Sequence, residues 1–231
     1  PLARLVVQGG KMITPVEGYP LYSLAAYRWG GLDAGGNPQG YLNGELSTNY
    51  SAMSNIASDG QGSMETIRFL GSAIPTSFGS WQHEFRYKNL SLSFALTYKA
   101  GYYFRKPSIN YSSLINFGIG HPDYADRWQQ PGDHTEVPAF EYPLKMSGRD
   151  NFYLASEVLA RNASHVRLKF VNFAYDLKEI SKLRYLSNAS LYINVNNVAL
   201  LWTANREDLD PDYFSGIPPQ RMWSVGFRTS F

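Results

Sequence analysis

The chain has 231 residues, 44% of them apolar, enough for one sizeable core or two small ones; it carries no cysteine, which excludes disulfide frameworks, thiolate metal sites and cysteine nucleophiles. With 21 Lys and Arg against 19 Asp and Glu and no run of like charge, it lacks the footprint of a nucleic-acid protein or a polybasic membrane anchor. No stretch approaches the roughly 18 to 20 continuous apolar residues of a spanning helix, which leaves strands as the only route across a membrane.

The unusual feature is 17 Tyr, 13 Phe, 5 Trp, 20 Gly and 13 Pro beside only 17% charged residues, against a usual figure of about 25%. The chain opens Pro1-Leu2-Ala3-Arg4-Leu5, with no initiator Met and no signal-like segment, and is expected to be a mature or excised piece. Helical periodicity is hard to find, whereas period-two alternation recurs between clusters of Gly, Pro, Asn and Asp. The expected class is all-β and antiparallel.

Residues 14–76 are dense in turn formers and too long for an ordinary connection within a compact domain. A strand over 81–87 then turns tightly at Lys88-Asn89 into a second over 90–104. There Leu90, Leu92, Phe94, Leu96 and Tyr98 alternate with Ser91, Ser93, Ala95, Thr97 and Lys99. This pattern fits a half-buried strand of a soluble sandwich or a barrel strand with lipid on one side. Tyr98, Tyr102, Tyr103 and Phe104 crowd one end, as residues of a headgroup zone do, which favours the barrel.

A second long stretch, 105–163, leads to a strand over 164–177. Its Arg167-Leu168-Lys169-Phe170 echoes Arg86-Tyr87-Lys88-Asn89, but a second hairpin there would leave strands shorter than the nine to eleven or so residues that span. A β-bulge is expected at Lys169-Phe170 instead. In the strand over 187–201, Leu191, Ile193 and Val195 alternate with Tyr192, Asn194 and Asn196. After a connection over 202–220, Trp223, Val225, Phe227, Thr229 and Phe231 share one face, and Ser224, Gly226, Arg228 and Ser230 the other. A chain ending on Phe suits a membrane interface, where the carboxylate stays in water. If Phe231 lies at the periplasmic rim, parity puts 14–76, 105–163 and 202–220 all outside, and leaves the short turns, 88–89 and 178–186, in the periplasm.

Several runs resemble a known family. In order they are Gly18-Tyr19-Pro20, Tyr27-Arg28-Trp29-Gly30-Gly31-Leu32-Asp33, Gly35-Gly36-Asn37-Pro38, Gly71-Ser72-Ala73-Ile74-Pro75 and Phe85-Arg86-Tyr87-Lys88-Asn89-Leu90-Ser91-Leu92-Ser93. Most distinctive is Arg127-Trp128-Gln129-Gln130-Pro131-Gly132-Asp133-His134-Thr135-Glu136-Val137-Pro138. Val166-Arg167-Leu168-Lys169, Asn196-Asn197-Val198, Asp210-Pro211-Asp212 and the aromatic last strand follow. Together they resemble the C-terminal part of the SusC/RagA type of TonB-linked outer-membrane protein, with Phe170 and Pro218-Pro219-Gln220-Arg221 as departures.

The resemblance implies a C-terminal portion of a 22-stranded plugged barrel in the bacterial outer membrane, importing glycan or peptide fragments rather than acting as an enzyme. It implies a SusD-like surface lipoprotein as lid, the TonB complex acting through an N-terminal part, the barrel assembly machinery and outer-membrane lipid as partners, and an oligosaccharide or peptide as ligand. No plug domain is found in this chain. Its five or six spanning strands are too few to close a barrel, whose unpaired edges would be costly in lipid.

Trp29, Tyr41, Tyr50, Arg127, Trp128, Tyr142 and Tyr153 fall in the expected external connections and are candidates to face substrate or lid; packing of long loops on themselves is the alternative for each. Trp223, Val225, Phe227 and Phe231 are the expected assembly signal. Asp133 is placed to cap a turn. Glu207, Asp208, Asp210 and Asp212 lack the spacing of a calcium loop and are expected to be a solvated loop or strand cap, with a bound cation as the alternative. His121, Asp123, Asp126 and His134 lack an ordered ligand pattern, so no metal and no cofactor is expected. Five Asn-x-Ser sequons, at Asn49, Asn89, Asn110, Asn162 and Asn188, are ascribed to chance. No P-loop, dinucleotide fingerprint, His-Glu-x-x-His or Gly-x-Ser-x-Gly run occurs. A soluble β-sandwich carbohydrate-binding module is the alternative; a two-carboxylate glycosidase is a third.

Overall fold

Residues 18–58, 65–146, 148–177, 188–207 and 209–230 are described by a computed structural model. In chain order they form β1 (Ser23–Tyr27), β2 (Gly40–Leu42), β3 (Glu45–Ser47), α1 (Tyr50–Ser58), β4 (Ile67–Ser72), β5 (Ser77–Tyr87), β6 (Leu90–Ala100), β7 (Tyr103–Arg105), α2 (Tyr111–Phe117), α3 (Arg149–Leu154), β8 (Ala160–Asn162), β9 (His165–Asp176), β10 (Asn188–Thr203) and β11 (Met222–Ser230). Two short 3₁₀ turns, Pro122–Asp126 and Glu157–Leu159, complete the set. The chain is mostly β, with a few short helices. It divides into two compact units, one comprising the chain up to Ile74 with Tyr102–Asn162, the other Pro75–Gly101 with the chain from Ala163 onward.

The second unit is a five-stranded antiparallel sheet in the order β11-β10-β9-β6-β5. Its register aligns the alternation across every strand. One cross-strand row is Phe85, Leu92, Phe173, Ile193 and Val225; the row beside it is Glu84, Ser93, Asn172, Asn194 and Ser224. Opposite residues in a ladder share a face and successive residues alternate, so the sheet has one apolar and one polar side. All five members of the first row are exposed, Val225 at 74%.

The tight turn at Lys88-Asn89 joins β5 to β6, with Lys88 at φ 53°. Lys169 is a bulge: Phe170 pairs with Ala95 and Leu168 with Leu96, leaving Lys169 unmatched. Across β10 the same point is met by Asn197, at φ 53°, and Val198. The extra residue shifts the alternation by one, which keeps Arg167 and Asn172 on the same polar side although their spacing is odd.

The expected strand over 90–104 does not run through. It stops at Ala100, where Gly101 takes φ 74°, and Tyr103–Arg105 pairs with Ala160–Asn162 in the other unit. Tyr102 and Phe104 are consequently buried, a correction to their expected place at an interface. Tyr98 stays exposed and lies over Gly79, whose Cβ, if present, would come within 2.7 Å of its ring.

The first unit is built from the two longest expected connections, which have a core of their own. β1 is buried along its whole length and pairs with β4. Tyr27 of β1 stacks on Phe152 of α3 at 5.0 Å, and Tyr50 of α1 meets the same ring at 5.2 Å. Ala25, Met53, Ile67 and Ala155 complete that cluster, and a second gathers Ile109, Tyr111, Val137, Tyr153, Val158 and Leu159. Trp29 packs against both. Two sequon asparagines have structural tasks here: Asn49 Oδ1 accepts from Ala52 N at 3.0 Å and Asn110 Oδ1 from Ser113 N at 2.9 Å, capping α1 and α2.

Candidate functional site

In the first unit, the run Gly35-Gly36-Asn37-Pro38 meets the distinctive run over 127–138. Asp33 Oδ1 accepts from Gly35 N and Asn37 N, each at 2.8 Å, closing a tight turn over 33–37. Ala139 N donates to Gly36 O at 2.9 Å, joining that turn to the end of the 127–138 run. Arg149, only 2% exposed, fastens both: Nε donates to Asn37 Oδ1 at 2.9 Å, and Nη2 to Gly36 O at 3.2 Å and Ala139 O at 2.7 Å. Two buried tyrosines finish the junction, Tyr50 donating to Pro38 O at 2.8 Å and Tyr111 to Pro138 O at 2.6 Å. Burial pushes both phenols well above their ordinary range.

Within the 127–138 run, Asp133 Oδ2 accepts from Gln129 N at 2.8 Å and Gln130 N at 3.0 Å, and these two bonds lower its pKa. The turn-capping expectation for Asp133 matches this geometry. Gly36, at φ 75°, leaves room for the Trp128 ring; a Cβ there would sit 2.5 Å from the indole and 2.7 Å from Ala139. Gly36→Ala is therefore expected to destabilise this unit by about 2 kcal/mol or more. A shift in Trp128 accessibility together with faster proteolysis of the unit checks it.

The seven candidate ligand-facing residues all lie in this unit but separate by environment. Tyr142 is 72% exposed. Tyr41, Trp29, Arg127 and Trp128 are half-buried. Arg28 lies over the Tyr41 ring at 4.5 Å, and Arg127 over Tyr124 at 4.1 Å while donating to Tyr124 O at 2.9 Å. Tyr50 and Tyr153 are buried, and the Tyr153 hydroxyl meets Ser108 Oγ at 2.9 Å. Burial pushes Tyr153 up to about 12. The hydroxyls of these two are engaged by internal partners, the arrangement that the packing alternative describes. Tyr27, Tyr50, Arg105, Asn151 and Phe152 border a cavity of about 600 Å³.

Of the residues weighed for metal binding, His121 and Asp123 are engaged with each other and with neighbours. Asp123 N donates to His121 Nδ1 at 3.2 Å, and Asp123 Oδ2 accepts from Ser108 Oγ at 2.6 Å. Among the described residues, no group of three or more His, Asp or Glu is placed to hold a metal ion.

The sheet unit carries a cluster that the sequence only hinted at. On its polar face Lys99 of β6 pairs with His165 of β9, and Thr97 with Arg167. Asp210 and Asp212, from the connection between β10 and β11, fold onto them. Asp210 Oδ1 accepts from Arg167 Nη2 at 2.5 Å; Asp212 Oδ1 meets Lys99 Nζ at 2.7 Å and its Oδ2 lies 3.4 Å from His165 Nε2 and 3.5 Å from Arg167 Nη2. The His165 hydrogen bond first, then Lys99, hold the Asp212 carboxyl well below the usual carboxylate range, against the opposing effect of burial. Both carboxylates converge on one guanidinium nitrogen, so they are not the opposed pair of a glycosidase; Asp208 lies outside the described residues, as do Phe231 and the turn expected at 178–186.

Trp223, Val225 and Phe227 of the expected assembly signal stand together on the apolar side of β11, all exposed. No helix of the described residues is long and apolar enough to cross a membrane, which concerns helices and leaves strands open.

Solved structures supply the comparison that sequence does not. The chain is similar to a structure of the RagAB peptide importer in its open-open state, with a TM-score of 0.63 at 20% identity over 93% of this chain and 23% of that one. A structure of the RagAB peptide transporter matches with a TM-score of 0.63 at 19% identity, over 96% of this chain and 24% of that one, and the importer in its closed-closed state gives 0.58 at 18% over 96% and 25%. The likeness is one of fold, and this chain spans about a quarter of the length of the chains it matches. No protein family and no curated protein matches the sequence. The structures it resembles are transporters rather than enzymes.

Proposed function

We propose that this chain supplies barrel wall and extracellular loops to a TonB-dependent outer-membrane importer of the SusC/RagA type, taking up glycan or peptide fragments. The observation that carries this reading is the two-sided sheet, whose apolar row Phe85, Leu92, Phe173, Ile193 and Val225 is exposed on all five strands. The strands run from 9 to 16 residues, which meets the roughly 9 to 11 that a tilted strand needs to cross a bilayer. A soluble sandwich would lay a second sheet over such a face; among the described residues of the sheet unit nothing covers it. The likeness to the RagAB importer structures supports the same reading.

On this reading the apolar side meets lipid and the polar side meets solutes. The connections over 14–76, 105–163 and 202–220 face outward, and a SusD-like lipoprotein lies over them. The TonB complex acts through an N-terminal part, and the barrel assembly machinery reads Trp223, Val225, Phe227 and Phe231. Tyr142, with its ring open, is the first of the seven candidates to test for ligand or lid contact.

Neighbouring residues on opposite faces give a sharp test. The chain has no cysteine, so Val225→Cys and Ser224→Cys each place a single thiol in this segment. In the full-length protein in lipid, a label at 225 is expected to be quenched by nitroxide lipids and one at 224 to be spared. Equal quenching at both, or at neither, removes the reading.

A further inference from the structure

The connection between β10 and β11 is fastened at three points. At its start Asn205 organises the turn, donating to Thr203 Oγ1 at 2.7 Å and Leu209 O at 2.8 Å and accepting from Leu209 N at 3.0 Å. At its return Asn197 donates to Gln220 O at 3.2 Å and Arg221 to Val198 O at 2.9 Å. Between these ends the fastening is ionic, Asp210 and Asp212 against Lys99, His165 and Arg167. Beyond it the segment is open, with Ile217 at 92% exposure.

The ionic fastening is chemically unfinished. Three basic side chains meet two carboxylates. Asp210 and Asp212 both approach Arg167 through Nη2, while its Nε is buried and makes no hydrogen bond among the described residues. A guanidinium presents Nε and a terminal nitrogen as a fork that one carboxylate can engage with both oxygens, a stronger arrangement than two carboxylates sharing one nitrogen. Neither loop aspartate uses that fork. A free carboxylate approaching from the polar side would.

We propose that Lys99, His165 and Arg167 form a carboxylate-binding site on the polar face of the wall, which Asp210 and Asp212 occupy as built-in surrogates, and that a carboxylate-bearing solute displaces them and frees the β10–β11 connection. The proposal rests on the reading of the polar face as the solute-facing side. The ligand chemistry is a carboxylate with both oxygens free, carried by an acidic peptide or by an acidic saccharide.

The test uses the full-length protein in lipid with Ile217→Cys carrying a spin label. Asp210→Asn combined with Asp212→Asn is expected to raise the ratio of mobile to immobile label about tenfold without any solute, the scale of losing a hydrogen bond between charged groups. With the native aspartates, oligoglutamate or oligogalacturonate is expected to mobilise the label, and oligoglutamine or a neutral oligosaccharide to leave it unchanged; which acidic solute acts identifies the source. Arg167→Lys keeps the charge and loses the fork, so the label's response to an acidic solute, taken against that variant's own resting state, is expected to weaken about tenfold. A label already mobile at rest, unmoved by the double substitution, or equally responsive to neutral and acidic solutes overturns the proposal. The thiols at 224 and 225 decide the wall reading independently, so its failure is told apart from failure of the site.

Discussion

Replacing Arg149 by Ala is expected to cost the unit formed by residues 18–74 and 102–162 about 3 to 5 kcal/mol, the range for stripping a charged partner from buried acceptors. The substitution removes the donor from Asn37 Oδ1 and Ala139 O and one of the two donors to Gly36 O, whose other donor is Ala139 N, at a junction where the Arg149 side chain itself is buried. The loss is concentrated because one side chain ties three segments distant in sequence. Arg149→Lys retains the charge, but a single ammonium cannot reproduce the fork that serves an amide and two carbonyls, so it is expected to recover only part of the loss. Hydrogen exchange in the full-length protein checks both: the amides of Asn37 and Ala139 should exchange faster in the Ala variant, with those of β6 and β9 unchanged. Uniform protection in the Ala variant would mean that the junction is not held by this residue.

The second large effect sits in the sheet. Phe94 belongs to the row His83, Phe94, Val171, Val195 and Trp223 on the apolar side, whereas Ser93 belongs to the polar row beside it. On the barrel-wall reading proposed above, Phe94→Arg is expected to destabilise the protein in lipid by about 2 to 4 kcal/mol, the cost of a cation at a lipid-facing wall position near the bilayer midplane. Ser93→Arg, one residue away, is expected to change stability by less than about 1 kcal/mol, because it points to the hydrated side opposite Glu84. Urea titration of folding into lipid vesicles measures both. Equal costs at the two positions would contradict a wall with lipid on one side only.

These expectations draw unequally on the sequence. The sheet was legible because a two-sided strand writes its environment into every second residue, and five such strands agree in register. The bulge at Lys169 was legible too, since it displaces the alternation by one without breaking the strand. The short helices were not: 9, 7 and 6 residues give too few turns for a periodic stripe to stand out. The core of the first unit was hidden for a different reason. Its decisive contacts, Arg149 to Gly36 or Tyr27 to Phe152, join residues more than a hundred positions apart, and nothing local marks Arg149 as buried. Tyr50 and Tyr153 were ambiguous because a phenol suits a core with one internal acceptor as well as an exposed ligand platform. For the acidic run at 207–212, sequence placed the carboxylates but not the basic partners, which come from two other strands.

The β5–β6 hairpin also bears on the order in which the molecule assembles. It closes on a two-residue turn, and its base is clasped where Thr76 N donates to Ala100 O at 3.1 Å. The two stretches that build the first unit leave and re-enter the chain at that clasp. Once the hairpin zips up from Lys88-Asn89, a process of local contacts, positions 74 and 102 are already neighbours, and the entropy of bringing them together has been met before the first distant contact forms. The hairpin thereby acts as a splint: it turns a discontinuous unit of high contact order into one that condenses as though its halves were consecutive.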